Sequence, residues 1–125
     1  MAKKTKRLLL VTEHNVFREA LAVRFNQEED LEVAWQAASV ANARNVHLNG
    51  IDVAVVDPLL PDGGGLELIR EVSVANPNAS SLALSPELDA AMRQQALGAG
   101  ATEVLSASSS IEEVISAVRR SAKAQ

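Results

Sequence analysis

The sequence predicts a doubly wound α/β fold, in which helices cover both faces of a five-stranded parallel sheet. Short apolar runs alternate with helical patterns along all 125 residues and give the order βαβαβαβαβα. The runs 8–11 and 53–56 are apolar without alternation, which is typical of strands buried on both faces. Because crossovers between parallel strands are almost always right-handed, this order winds into an open sheet.

Five short apolar runs are the predicted strands. In chain order they are RLLLV (7–11), LEVAW (31–35), DVAVVD (52–57), SLAL (81–84) and EVL (103–105). They are of strand length, and helical patterns separate them. In a sheet of this kind, function gathers at the carboxyl ends of the strands.

The intervening segments are predicted helices, at 14–27, 39–49, 64–75, 87–98 and 109–123. All but the second carry apolar residues at helical spacing on one face. Those residues are Phe17, Leu21 and Phe25; Leu66, Ile69 and Val72; Leu88, Met92 and Ala96; and Ile111, Val114, Ile115 and Val118. A capping box, either Ser109 with Glu112 or Ser110 with Glu113, predicts the start of the last helix.

The composition excludes several classes of protein. There is no cysteine, so disulfides, thiol nucleophiles and thiolate metal sites are ruled out. The net charge of −4 argues against a nucleic-acid-binding face. The apolar run after the basic start MAKKTKR is too short for a signal peptide or a membrane span. We therefore expect one cytoplasmic domain over 1–125, without membrane or nucleic-acid contacts.

Polar residues stand at the predicted carboxyl ends of four strands: Thr12, Glu13 and His14; Asp57; Ser85; and Ser106 with Ser108. Asp57 and Glu13 could share Mg²⁺, which takes oxygen ligands. Asp57 could also attack phosphorus as a nucleophile. Equally, Asp57 could do no more than cap the loop after its strand, and Glu13 could simply be solvated. The spacing leaves these alternatives open.

Other motifs at this edge give weaker signals. The glycines of PDGGG (61–65) lack the spacing of a phosphate-binding loop, and we expect them to serve a turn with positive φ. His14 and His47 have no second histidine at ligand spacing and are expected at the surface. Ser85 has no histidine base positioned by the sequence, which argues against a hydrolase triad.

Four stretches of the chain resemble the receiver domain of bacterial two-component response regulators. They are LLLVTEHNVFREAL (8–21), DVAVVDPLLPDGGGLELI (52–69), LALS (82–85) and ALGAGATEVL (96–105). The first is closest to the branch that carries a helix-turn-helix output domain. The resemblance covers essentially the whole chain and implies a flavodoxin-like sheet of order 2-1-3-4-5.

The resemblance also implies a mechanism. Asp57 would be the phospho-acceptor, Ser85 the switch hydroxyl, Pro61 the loop proline and Gly65 the glycine before the third helix. An acidic pair at Thr12–Glu13, together with Asp57 and the Leu59 carbonyl, would hold Mg²⁺. A histidine kinase or a small phosphodonor would supply the phosphoryl group, and the domain itself would not be an enzyme.

The sequence departs from this family's pattern at charged and switch positions. The acidic pair reads Thr12–Glu13, so one carboxylate has become a hydroxyl. Ala107 stands at the position of a lysine that contacts the phosphoryl oxygens, and Val104 replaces the switch aromatic. A unit charge about 4 Å from such an oxygen contributes up to about 4 kcal/mol at an effective dielectric of about 20.

Two prolines add to these departures. The family binds phosphate with the amides that follow the acceptor aspartate and the switch hydroxyl, and here those residues are Pro58 and Pro86. Proline has no N–H to donate, and each missing donor costs about 1–3 kcal/mol. Because phosphoryl transfer depends on positioning and electrostatics, phosphorylation of Asp57 is expected to be impaired or absent.

Three functions follow as hypotheses. The first is a signalling module regulated through protein contacts, which include a homodimer involving residues 87–123, or through another ligand at the same edge. Mg²⁺ would be bound weakly or not at all. The second is a conventional Mg²⁺-dependent receiver that a histidine kinase phosphorylates on Asp57. The third is a small enzyme or nucleotide binder on a flavodoxin-like fold, although TEHN (12–15) supplies little of the phosphate cradle that it needs.

Overall fold

Five parallel strands form one sheet in the computed structural model, which describes residues 5–44, 50–60, 64–85, 89–106 and 108–123. The strands are β1 (Lys6–Val11), β2 (Leu31–Ala37), β3 (Val53–Val56), β4 (Ser80–Ser85) and β5 (Glu103–Ser106). Their order is β2-β1-β3-β4-β5, with every pair parallel. The predicted doubly wound fold is confirmed.

The helices alternate with the strands along the chain. They are α1 (Asn15–Asn26), α2 (Val40–Ala43), α3 (Gly65–Ala75), α4 (Ala90–Ala99) and α5 (Ile111–Lys123). The weak helical pattern at 39–49 is borne out over its first turn, whereas residues 45–49, including His47, lie outside the described part. Leu88, predicted on the apolar face of the fourth helix, also lies outside it. Within the described ranges, every helix falls short of the length and apolar character that a membrane span requires.

The core consists of two apolar layers, one on each face of the sheet. β3 and β4 are buried along their full length, which explains why their sequences do not alternate. One layer joins α1 and α5 to the sheet and includes Leu8, Leu10, Leu21, Phe25, Leu82, Ile115 and Val118. The other joins α2, α3 and α4 to the sheet and includes Leu9, Val11, Val40, Ile69, Val72, Ala96 and Val104.

Local hydrogen bonds set the helix boundaries. The N–H of Glu113 donates to Ser110 Oγ at 3.2 Å, so Ser110 and Glu113, of the two predicted pairs, form the capping box of α5. Asp89 caps α4 by accepting from the Met92 N–H at 2.7 Å. The same helix ends at Gly100, whose φ of 117° suits glycine.

Side-chain contacts engage backbone groups on both edge strands. On β2, the Val33 N–H donates to Asn26 Oδ1 at 2.9 Å, and the pairing with β1 shifts register between Leu8 and Leu9. On β5, Arg93 of α4 donates to the Val104 carbonyl at 3.0 Å. Each edge of the sheet is therefore joined to a helix by a side chain as well as by apolar packing.

An ion cluster fixes the C-terminal half of α5 to the turn between α1 and β2. The Arg119 guanidinium donates to both carboxylate oxygens of Asp30, at 2.8 and 2.9 Å, and to Glu28 at 2.6 Å. Arg24 donates to the other oxygen of Glu28, also at 2.6 Å. The hydrogen bonds from Arg24 and Arg119 lower the pKa of Glu28.

The glycines before α3 do not have the conformation that the sequence predicts. Gly64 has a φ of −105° and Gly65 is the first residue of the helix, so neither has positive φ, while Gly63 lies outside the described residues. Close approach explains Gly65 instead. A Cβ there would stand 2.6 Å from the Asp57 carbonyl oxygen and 2.8 Å from the Pro58 backbone. Glycine therefore lets α3 begin directly against the loop that follows β3.

We expect Gly65→Ala to destabilise the protein by about 1–3 kcal/mol, because the added methyl group meets backbone atoms that cannot turn away. Gly98→Ala is the matched control, since a Cβ there meets nothing within 4 Å. That helical substitution should stabilise the fold by about 0.5–1 kcal/mol. Urea unfolding of the two variants measures the difference, and equal stabilities would contradict the close-approach explanation.

Two neighbouring serines at the start of β4 have opposite hydrogen-bonding situations. Ser80 Oγ donates to the Ser121 carbonyl at 2.9 Å in a buried contact with α5. Ser81 Oγ is also buried, but it has no hydrogen-bond partner among the described residues. A buried hydroxyl without a partner carries a desolvation cost that a bonded one does not.

We therefore expect opposite effects from removing the two hydroxyls. Ser80→Ala should lower the free energy of unfolding by about 1 kcal/mol, because the Ser121 carbonyl loses its donor. Ser81→Ala should leave the free energy unchanged or raise it by up to about 1 kcal/mol. Thermal and urea unfolding compare the pair, and a large loss at Ser81 would show that its hydroxyl has a partner.

Candidate functional site

The carboxyl ends of the strands bring the predicted site residues to one edge of the sheet. Thr12 and Asp57 directly follow β1 and β3, which are paired with each other. The Asp57 N–H donates to the Val11 carbonyl at 2.9 Å, so the pairing continues up to the acid itself. On the next two strands, Ser85 is paired with Ser106.

Asp57 is buried, with a relative exposure of 3%. Its Oδ1 accepts the Leu59 N–H at 2.8 Å, which closes a turn immediately after β3. The capping role that the sequence left open is therefore present in the structure. This hydrogen bond occupies one oxygen of the Asp57 carboxylate with a backbone donor. The Leu59 side chain itself is exposed.

Burial raises the pKa of the Asp57 carboxyl above its usual range. The hydrogen bond from Leu59 acts in the opposite direction, as do the charge of His14 and a hydrogen bond from the Ser85 hydroxyl. The charge of Glu13 adds to the upward shift. Asp57 is thus a carboxyl whose ionised form the site does not fully compensate.

The residues after β1 differ sharply in exposure. Thr12 is buried, and its Oγ1 accepts a long, 3.4 Å hydrogen bond from the His14 N–H. Glu13 and His14 are exposed, as the sequence predicts. His14 nevertheless acts on the pKa of Asp57 through its charge, an effect that its sequence position did not reveal.

Arg18 is a site-edge residue to which the sequence analysis assigned no role. Its guanidinium donates to the Thr12 carbonyl at 2.6 Å, to Asn15 Oδ1 at 2.8 Å and to Gln36 Oε1 at 3.3 Å. The side chain lies one helical turn beyond His14, and that spacing is the signal that could have placed it at the end of β1. Arg18 holds the loop after β1 against β2 with three of its five N–H donors.

The β5 side of the site lacks charged side chains among its described residues. The Ser106 and Ser108 hydroxyls lie 2.9 Å apart, and the Ser108 N–H donates to Ser106 Oγ at 3.1 Å. Val104, at the switch-aromatic position, is buried in the layer that contains Ala83. The predictions for Pro61, Pro86 and Ala107 concern residues outside the described ranges.

Metal binding at this edge has a limited set of donors. Within the described ranges, no group of three or more histidine, cysteine, aspartate or glutamate side chains is placed to hold an ion. The ligands that the sequence predicts are the Asp57 and Glu13 carboxylates, the Thr12 hydroxyl and the Leu59 carbonyl. Two carboxylates with neutral oxygens are chemically suited to Mg²⁺, but they make a weaker site than three carboxylates.

We expect Asp57→Asn to stabilise the metal-free protein at neutral pH. With a raised folded-state pKa, protonated Asp57 stabilises the fold below the usual aspartate range, and this contribution is lost as pH rises through the raised pKa. Asparagine stays neutral and keeps an oxygen for the Leu59 N–H. Urea unfolding in EDTA across a pH series should therefore show a higher free energy of unfolding for Asp57→Asn than for the native protein at neutral pH. This difference should disappear in acid.

Glu13→Gln provides the control for that experiment, because it removes a charge that raises the pKa of Asp57. In the Glu13→Gln background, the stability gap produced by Asp57→Asn should narrow. A lower stability of Asp57→Asn than of the native protein at neutral pH would contradict the assignment of an uncompensated carboxylate.

Solved structures of signalling domains are similar to this chain over almost its whole length. The signal receiver domain of a NarL response regulator from Mycobacterium tuberculosis has a TM-score of 0.86 at 26% identity, covering 98% of this chain and 99% of that one. A LuxR-family two-component response regulator from an Aurantimonas species has a TM-score of 0.88 at 26% identity, covering 98% and 88% respectively.

Curated sequences give a consistent result. The DNA-binding transcriptional activator DevR/DosR of Mycobacterium tuberculosis is 35% identical over 97 residues, covering 77% of this chain and 45% of that protein. The transcriptional regulatory protein UhpA of Escherichia coli is 32% identical over 110 residues, covering 87% and 55%. The chain thus spans about half the length of these relatives.

A family model described as the response regulator receiver domain matches residues 8–119. That range runs from the middle of β1 into the last turns of α5 and includes every described residue of the candidate site. The sheet order, the acid at the end of β3 and the similarities above agree with this match. The chain belongs to the response regulator receiver domain family of two-component signal transduction.

Proposed function

We propose that this receiver domain signals through protein contacts and that phosphorylation of Asp57 is impaired or absent. Receiver domains interact with histidine kinases and other signalling proteins, and we propose a partner of this class here. The contact surface would be formed by α4, β5 and α5, through which the domain would bind a protein partner or a second copy. It would do so without an enzymatic activity of its own.

The observation that carries the proposal is the arrangement of backbone donors around Asp57. The residue after the acid is Pro58, which has no N–H. The next amide, that of Leu59, donates to Asp57 itself. Neither of the two peptide nitrogens that follow Asp57 is therefore free to bind an oxygen of a phosphoryl group on that side chain.

Charge supports the same conclusion. A phosphoryl group on Asp57 would add negative charge beside Glu13, at a carboxyl whose ionised form is already disfavoured. Ala107 supplies no cation where the family pattern has lysine. Because phosphoryl transfer depends on such electrostatic stabilisation, the acceptor reaction is weakened directly.

Magnesium would supply the missing positive charge if it bound. Glu13, Asp57 and the Leu59 carbonyl are the residues that would hold it, with Thr12 contributing a neutral oxygen. Each carboxylate missing from such a site removes one strong attraction for the cation. We therefore propose weak binding, in the millimolar range or beyond.

A conventional receiver phosphorylated on Asp57 is the second candidate function. It is favoured by the buried acid at the end of β3 and by the hydrogen bond between Asp57 and the Ser85 hydroxyl. Glu13 also keeps one carboxylate at the end of β1. The two candidates differ in whether this edge of the sheet responds to Mg²⁺ and to a phosphoryl mimic.

Amide NMR spectra recorded with Mg²⁺ and then with beryllofluoride test the choice. We expect no beryllofluoride response in residues 12–14, 57–60 and 84–85 of the native chain at millimolar Mg²⁺, because the cradle lacks donors and charge. The triple variant Thr12→Asp, Pro58→Ala and Ala107→Lys restores a carboxylate, a backbone N–H and a cation, and it should respond.

Asp57→Asn is the control in both backgrounds, since beryllofluoride needs the carboxylate. Shifts in the native chain that disappear with Asp57→Asn would establish the conventional function and refute the proposed one.

A further inference from the structure

Helix α4 is attached to the sheet through little apolar surface. Its buried residues are Ala96 and Ala99, whereas α3, which is of similar length, buries three branched aliphatic side chains. Leu97, a large apolar side chain of the same helix, is 43% exposed. Because the stabilisation from burial scales with the apolar area removed from water, the sheet holds α4 less firmly than α3.

The sequence of α4 also weakens the helix itself. Gly98 lies in its last turn, and glycine in a helix is less favourable than alanine because it loses more conformational freedom on folding. A Cβ at this position would meet nothing within 4 Å, so no close approach requires the glycine. Asp89 and Gly100 cap the two ends, which stabilises the helix without attaching it to the sheet.

A charged hydrogen bond joins α4 to the edge of the sheet. The Arg93 guanidinium donates to the Val104 carbonyl at 3.0 Å in a partly buried contact. β5 is the outermost strand on this side, and it pairs with β4. A hydrogen bond from a charged donor is stronger than one from a neutral donor. For a helix with so little buried area, this bond is therefore a large part of the attachment.

The acceptor of this bond belongs to a residue at which a switch is expected. Val104 occupies the position of the switch aromatic in receiver domains, but its side chain is buried and too small to alternate between two positions. A domain that changes state then needs another element with two arrangements. Regions with few buried apolar contacts open at the smallest cost in free energy, and α4 is such a region.

We propose that α4 opens from the sheet by local unfolding while the other helices stay packed, and that the hydrogen bond between Arg93 and Val104 holds it closed. Opening uncovers the apolar layer that contains Ala83 and Val104, and it frees the outer edge of β5. The inference goes beyond the proposed function, because it names the element that changes state whether or not Asp57 is phosphorylated.

Native-state amide hydrogen exchange of the full chain tests the proposal. The amides of residues 94–99 should be less protected than those of β3 and β4, and their exchange rates should depend only weakly on urea, because local opening exposes little surface. Equal protection and equal urea dependence in the two regions would overturn the proposal, since α4 would then open only together with the whole domain.

Two neighbouring substitutions test the role of Arg93. Arg93→Ala should raise the exchange rates of residues 94–99 by about tenfold, because the bond to Val104 is lost. Gln94→Ala is the matched control, since it shortens the next exposed side chain of α4, and it should leave these rates within about twofold. An effect of Arg93→Ala no larger than that of Gln94→Ala would overturn the assignment of Arg93.

Gly98→Ala should act in the opposite direction. Alanine favours the helix and fits the open space around this position, so the exchange rates of residues 94–99 should fall by about two- to fivefold. Unchanged rates in this variant would contradict local unfolding of α4 as the route of exchange.

Ser80→Ala separates local opening from global unfolding. It removes a hydrogen bond between β4 and α5, which stays intact while only α4 is open. The amides of β3 and β4 should therefore exchange about fivefold faster, and those of α4 should stay within about twofold of the native rates. Equally accelerated exchange in α4 would overturn the proposal. Asp57 is unchanged throughout, so these outcomes are separate from the beryllofluoride result.

Discussion

The burial of the central strands on both faces of the sheet is the constraint on which the rest of the structure depends. β1, β3 and β4 are covered on both faces, so polar side chains can reach water mainly where these strands end. Asp57 is the first residue beyond β3, and its N–H still pairs with β1. Its carboxyl therefore lies at the boundary between a close-packed apolar interior and an aqueous edge. Burial dominates its pKa for this reason.

The Asp57 carboxyl and the Leu59 N–H, which a phosphoryl site would also use, form a structural hydrogen bond with each other. The Leu59 amide closes the turn after β3 by donating to the carboxyl, and Gly65 lets α3 start within contact of the same backbone. This compact loop is compatible with an acceptor aspartate, but Pro58 removes the donor that could serve a phosphoryl oxygen. Asp57 Oδ1 therefore closes the turn after β3 whether or not the carboxyl also accepts a phosphoryl group.

The fold was largely predictable from the sequence because strand burial and helix amphipathicity are periodic. The apolar run of β3 and the stripe of α5 placed those elements directly, and the Ser110 capping box placed a boundary. What periodicity could not show are contacts between residues distant in sequence. Three features depend on how the helices and strands pack: the close approach at Gly65, the ion cluster around Arg119 and the hydrogen bonds of Arg18. For the site, the sequence located Asp57 and the polar strand ends, but only packing determined that Thr12 is buried and that His14 acts on Asp57.

Side chains bind backbone groups on the two edge strands, β2 and β5, and this affects how the domain can associate. A sheet edge with free backbone groups invites another strand to add to it, which leads to strand exchange or aggregation. Here Asn26 takes up the Val33 amide on a strand whose register is interrupted, and Arg93 takes up the Val104 carbonyl on the opposite edge. Continuous backbone pairing along either edge would require these bonds to break. An added strand would therefore have to displace a side chain at each edge before it could pair along the full length of β2 or β5.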